Sequence, residues 1–397
     1  MATLCRAQQT VEPTAIKPAQ GQHWVGTWAT AIQAIDKPLM PPTPPGMADT
    51  TLRQVVRVSI GGKQLRVRFS NAFGPWGEGL KINQAHVAVS AGGSAIQPGT
   101  GKPLTFRGES SVTIPQGALI ISDPVDFDLA PGSDLAVTIH VNDTAKDITG
   151  HRSARGKGTF LQAGNAVAAT DLPQAVSTNV WYYLSGVDVL APETSAAVIC
   201  VGDSITDGKG STEGTNRRWP DYLARRLQAN AQTAQVGVLN QGIGGNCVWR
   251  GGIGQPAIVR VGRDVLAQPG ARWLIVLEGI NDLGGGKTTA EQVLLGLEQI
   301  VLQAKDRGLL VYGATILPAG GSGYFNPALE EKRQKINDWI RKSGAFDAVI
   351  DLDAATRDPQ DPTRLLAAAD SGDYLHPSDK GYKMIAEAVD LKLFMKQ

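Results

Sequence analysis

Ser204 and His376 are, by residue type and by their neighbours, the side chains of this sequence best suited to covalent chemistry. Ser204 sits in Gly202-Asp203-Ser204-Ile205-Thr206-Asp207-Gly208, where a small residue ahead of the serine lets the chain turn sharply and present a hydroxyl. His376 follows Asp373-Tyr374-Leu375, and a carboxylate three residues before a histidine can reach back to the ring Nδ1 and fix its tautomer. Asp370 is the alternative orienter, with poorer reach. Four of the five histidines, His23, His86, His140 and His151, fall in the first half of the chain, which leaves His376 alone in the second. Asn240-Gln241-Gly242-Ile243-Gly244-Gly245-Asn246 has glycines that let backbone N–H groups approach a ligand. Gly279-Ile280-Asn281-Asp282 offers an amide donor, and Asn281 suits that role better than Asp282 because a donor must not become an anion. Asp203 and Asp282 are expected to brace loops as acceptors, and Asn240, Gly242 and Gly244 to shape the backbone. A hydroxyl nucleophile, a base, its orienter and donors for an oxyanion make the set required for acyl transfer.

These segments need a frame that brings them together. From about His23 to Leu190 the chain reads as short strands separated by Gly, Pro, Asn and Asp. Leu65, Val67 and Phe69 alternate with Arg66, Arg68 and Ser70, and Leu135, Val137, Ile139 and Val141 repeat the period of two. Gly61-Gly62 between such runs reads as a hairpin. This half predicts an antiparallel β-sandwich.

After Pro192 the period changes. Strands are predicted at Ala196 to Val201, Val236 to Leu239, Trp273 to Leu277, Leu309 to Ile316 and Ala348 to Leu352. Helices are predicted from Trp219-Pro220, over Glu291 to Arg307 with Gly308 as the stop, after the cap Asn326, and from Ser378. Alternating strand and helix implies a parallel sheet covered on both faces, with ligands bound beyond the carboxyl ends of its strands. Each segment named above follows a predicted strand. The expected organisation is a flexible segment 1–22, a β-sandwich over 23–191 and an α/β domain over 192–397.

The four segments resemble, in order, conserved blocks of the SGNH (GDSL) hydrolase superfamily, over roughly residues 196–397. That resemblance implies a three-layer α/β/α, flavodoxin-like domain with a five-stranded parallel sheet. It implies Ser204 as nucleophile and first oxyanion donor through its N–H, Gly245 as second donor, Asn281 as amide donor, and Asp373 with His376 to complete the triad. No metal or other cofactor is implied. In the first half, Trp24-Val25-Gly26-Thr27-Trp28-Ala29-Thr30 and Leu65-Arg66-Val67-Arg68-Phe69-Ser70-Asn71 are similar to the acetylxylan-esterase-like branch, with a jelly-roll-like β domain. This implies a short-acyl ester, acetyl in the first instance, on a plant cell-wall saccharide, and a secreted or periplasmic enzyme. A lipolytic esterase or acyl-thioesterase and a carbohydrate-binding protein are the rival readings.

Composition narrows the partners. The 397 residues hold 38 basic and 37 acidic side chains, a net charge of +1, and no basic stripe suited to nucleic acid or anionic membrane. No apolar run is long enough to span a bilayer. Met1 to Gln22 is polar, so an export signal, if the protein has one, is not within it. Cys5, Cys200 and Cys247 have no metal-like spacing, nor do Asp351, Asp353, Asp358 and Asp361. The glycines near Gly242 lack the Gly-x-Gly-x-x-Gly order of a dinucleotide site. Arg217-Arg218 reads as a solvated pair, and Trp249 and Tyr374 as pocket or core residues.

Overall fold

The computed structural model describes residues 18, 20–77, 79–142 and 147–395. Cys5 and nearly all of the expected segment 1–22 lie outside them. In the second half, strands β1 (Ala196–Gly202), β2 (Val236–Gly242), β3 (Ala271–Leu277), β4 (Leu310–Ala314) and β5 (Ala348–Ile350) form one parallel sheet in the order β2-β1-β3-β4-β5. All seven residues of β1 are buried, as its unbroken apolar run predicts for a central strand covered on both faces. The strand order turns back at β1, so a crevice opens beyond the carboxyl ends of β1 and its neighbours.

Helices alternate with these strands: α1 (Ser204–Asp207), α2 (Trp219–Gln228), α3 (Ala257–Val261), α4 (Ile280–Gly284), α5 (Ala290–Lys305), α6 (Pro327–Lys342), α7 (Leu352–Thr356) and α8 (Asp379–Ala388). Helix α5 buries Val293, Leu297, Ile300, Val301 and Ala304 along one stripe and starts with a capping box of Thr289 and Gln292. Helix α6 begins as predicted, with the Asn326 side chain accepting from Leu329 N and Pro327 at the first position. Ser378 caps α8 by accepting from Gly381 N.

The first half is antiparallel throughout. One sheet joins Gln22–Ala29, Leu184–Pro192, Gly62–Ser70 and Val125–Leu129; another joins Thr159–Ala163, Thr50–Arg57, Asp134–Val141 and Leu80–Gly92. The expected Gly61-Gly62 hairpin is not formed. Thr50–Arg57 and Gly62–Ser70 belong to different sheets, and the short link between them crosses from one to the other. Gly61 is needed for close approach instead, since a Cβ there would lie 2.2 Å from the Leu129 carbonyl oxygen.

The halves pack together through both apolar and polar contacts. Val25, Leu65 and Val187 share one apolar cluster with Ile199, Leu239 and Val265. The outer edge of β2 is covered, with Val238 N donating to Ser59 Oγ at 3.0 Å. On the polar side of Gly62–Ser70, Arg68 is buried: it pairs with Asp188 at 3.1 Å and donates to Gln268 Oε1 at 2.8 Å.

Candidate active site

Ser204 opens the single turn of α1 directly after β1. Its Oγ lies 2.8 Å from His376 Nε2, and His376 Nδ1 lies 2.6 Å from Asp373 Oδ2. Asp373 Oδ1 also accepts from the His376 backbone N–H at 2.8 Å, so the carboxylate holds both ring and backbone. Asp370 makes no contact with the ring; its Oδ1 accepts from Gly372 N and Tyr374 N and shapes the loop. Ser204 and His376 are buried, whereas the Asp373 side chain is 46% exposed.

The electrostatics suit a neutral base. Burial pushes His376 below the ordinary histidine value, Asp373 opposes this, and Lys209 and Arg155 add to the lowering. Burial alone would raise Asp373, but hydrogen bonds from the His376 backbone and ring hold it below the usual carboxylate range. At neutral pH the histidine is therefore free to accept a proton from the hydroxyl.

Asn281 is the second residue of α4, which follows β3. Its Nδ2 donates to the Asn246 carbonyl at 2.9 Å and its Oδ1 accepts from Tyr324 Oη at 3.2 Å, which fixes the amide with one N–H still to give. Asp282 turns away and accepts from Val248 N and Trp249 N, as a loop brace. Gly245 follows β2 with φ of +76°, and among the described residues neither its N–H nor that of Ser204 has a protein acceptor. Asn240 also braces the site: its Nδ2 donates to the Thr206 carbonyl at 2.8 Å. Gly242 allows β2 to lie against α1, because a Cβ there would be 2.3 Å from Asp207 N.

Several functional neighbours escape sequence reasoning. The Arg260 guanidinium, buried on α3, donates to Gly202 O, Gln241 O and Asn246 Oδ1 and so ties the exits of β1 and β2. Tyr324 reaches Asn281 from the loop before α6. His151 and Arg155 come from the β half and contact Asp207, at 2.9 and 3.2 Å. Nothing in spacing marks them, and counting histidines by half misplaces His151 as remote.

Arg218 is not solvated: it is 5% exposed and forks onto Asp221, while Arg217 at the surface pairs with Asp379. Asp353 is buried against Arg333 and Arg341, and the half-buried Asp351 also pairs with Arg341. Cys200 is fully buried, and burial raises its thiol well above the usual value. Trp249 is half-buried with a Gly296 Cβ position 3.5 Å from its ring; Tyr374 is 46% exposed and backs onto Gly321.

Residues 200–384 match the model of the GDSL-like lipase/acylhydrolase family. They form a GDSL-type ester hydrolase domain. A lipolytic protein of the G-D-S-L family from Desulfitobacterium hafniense is 23% identical, with 49% of this chain and 97% of that one covered and a TM-score of 0.39. Axe2, an acetylxylan esterase from Geobacillus stearothermophilus, is 23% identical over 49% of this chain and 94% of its own, also at 0.39. A GDSL-like lipase from Bacteroides thetaiotaomicron is 17% identical over 50% and 87%, at 0.39. No curated protein matches the chain. No helix among the described residues is long and apolar enough to cross a membrane.

Proposed function

We propose that the hydrolase domain works through Ser204, His376 and Asp373, with Ser204 N–H, Gly245 N–H and the Asn281 amide as the oxyanion hole. The observation that carries this reading is the unbroken relay of 2.8 Å from Ser204 Oγ to His376 Nε2 and 2.6 Å from His376 Nδ1 to Asp373 Oδ2. His376 takes the Ser204 proton as Oγ attacks the ester carbonyl. The three donors hold the oxyanion, and His376 then returns the proton to the departing alkoxide. Water activated by the same ring releases the acid. Every group in this scheme belongs to the chain itself.

The substrate reading is a short acyl ester, acetyl in the first instance, on a plant cell-wall saccharide. It rests on the similarity of Trp24 to Thr30 and Leu65 to Asn71 to the acetylxylan-esterase-like branch. We read 23–191 as a sandwich-type β domain and 192–397 as the catalytic domain, in a secreted or periplasmic enzyme. Ser204→Ala in the full chain should abolish hydrolysis of p-nitrophenyl acetate while the circular dichroism spectrum is unchanged. Turnover surviving in that variant sinks the nucleophile assignment. Acetate release from acetylated xylan, with acetyl preferred to octanoyl aryl esters, supports the sugar reading; the reverse preference favours a lipolytic one.

A further inference from the structure

We propose that His151 of the β half is a positioning residue for the nucleophile, acting through Asp207. This inference rests on the serine-esterase reading of Ser204. Both nitrogens of the His151 ring face acceptors: Nδ1 lies 2.8 Å from the Ala31 carbonyl oxygen, and Nε2 lies 2.9 Å from Asp207 Oδ1. A carbonyl oxygen can only accept, so Nδ1 faces an acceptor while Nε2 faces a carboxylate. The ring is buried, 2% exposed, with both nitrogens engaged, opposite a carboxylate that is also 2% exposed. Arg155 Nε donates to the other Asp207 oxygen at 3.2 Å. Burial alone would raise the Asp207 carboxyl, yet His151, Arg155 and Arg218 together hold it below the usual range.

Asp207 is the last residue of the turn that Ser204 begins. Its N–H donates to the Asp203 carbonyl at 2.9 Å, and Gly242 leaves no room for it to shift toward β2. Two segments of the β half, the strand Thr149–His151 and the loop at Ala31, therefore set where the Ser204 peptide and Oγ stand. His151 has no free nitrogen to act as a base, and it touches no reacting atom. Its effect is to hold geometry that the transition state uses.

The test is steady-state hydrolysis of p-nitrophenyl acetate by the full chain, with thermal melting of each variant. His151→Leu removes both ring nitrogens at similar volume and should lower kcat about tenfold or more, with KM within about twofold, because a polar partner of a buried carboxylate is lost. His151→Gln keeps one N–H for Asp207 and should stay within about threefold of wild type. Arg155→Leu, which removes the donor on the other oxygen, gives a second measure should His151→Leu fail to fold, and should lower kcat several-fold. Unchanged kcat in a folded His151→Leu or Arg155→Leu variant, even with a lower melting temperature, overturns the proposal. Wild-type turnover that Ser204→Ala abolishes keeps the nucleophile assignment intact in either case, so that result counts against the brace alone.

Discussion

His376 with Asp373 and His151 with Asp207 are both imidazole–carboxylate pairs, closed at 2.6 and 2.9 Å, and both lie beside the turn that carries Ser204. They differ in what meets the second ring nitrogen. On His376 it is a hydroxyl, which can give up a proton; on His151 it is a carbonyl, which has none to give. They differ also in exposure, with the Asp373 side chain 46% exposed and Asp207 2%. One pair stands at a rim where a substrate can arrive, and the other is sealed between the two halves. On the proposed reading the same two residue types make a base in one place and a fastener in the other, and the partner of the far nitrogen decides which.

The sharpest way to break that comparison is to remove each ring in turn. His376→Asn should lower kcat/KM by about 10³ or more, against the roughly tenfold loss set out for His151→Leu. Equal losses would mean that the two pairs do the same work. Next in size is Asn281→Ala, expected to lower kcat by about 10² to 10³ if its free N–H meets the oxyanion. The next test is pH. His376 must be neutral to act, and its pKa is lowered, so kcat/KM should stay level as pH falls through neutrality and decline only below the ordinary histidine value of about 6.5.

Smaller effects probe the groups beneath both pairs. Tyr324→Phe, which leaves Asn281 Oδ1 without its donor, should cost kcat a few-fold (about 1 kcal/mol) and leave KM in place. Glu278 is fully buried next to Asp203, and neither carboxyl oxygen has a hydrogen-bond partner. Burial, reinforced by Asp203, raises its pKa well above 4.5. The folded chain then binds that proton more tightly than the unfolded one, so stability falls as pH rises from the unfolded value toward the folded one. Glu278→Gln should melt at or above the wild-type temperature at about pH 8 and lose the advantage under acid conditions. A variant less stable than wild type at the alkaline end would show that the carboxylate is charged in the fold.

The contrast between the halves also explains what could be read beforehand. The apolar run of β1, the stripe of α5 and the cap Asn326 are local patterns, and the elements formed where they point. The strand exits carried Ser204, Asn281, Asp373 and His376 in an order that a parallel sheet converts into proximity. Gly61-Gly62 misled because glycine serves a tight turn and a close crossing equally well, and only the neighbouring Leu129 backbone distinguishes them.

By itself the sequence determined the period of each half, the helix starts and the candidate side chains of the site, because those depend on contacts within a few residues. The tertiary structure alone decided that Asp373, not Asp370, reaches the ring, that Tyr324 pins Asn281, and that His151 and Arg155 arrive from the other half to hold Asp207. Such partners are far apart in the chain, and no spacing rule encodes which buried acceptor a donor will find once two surfaces close.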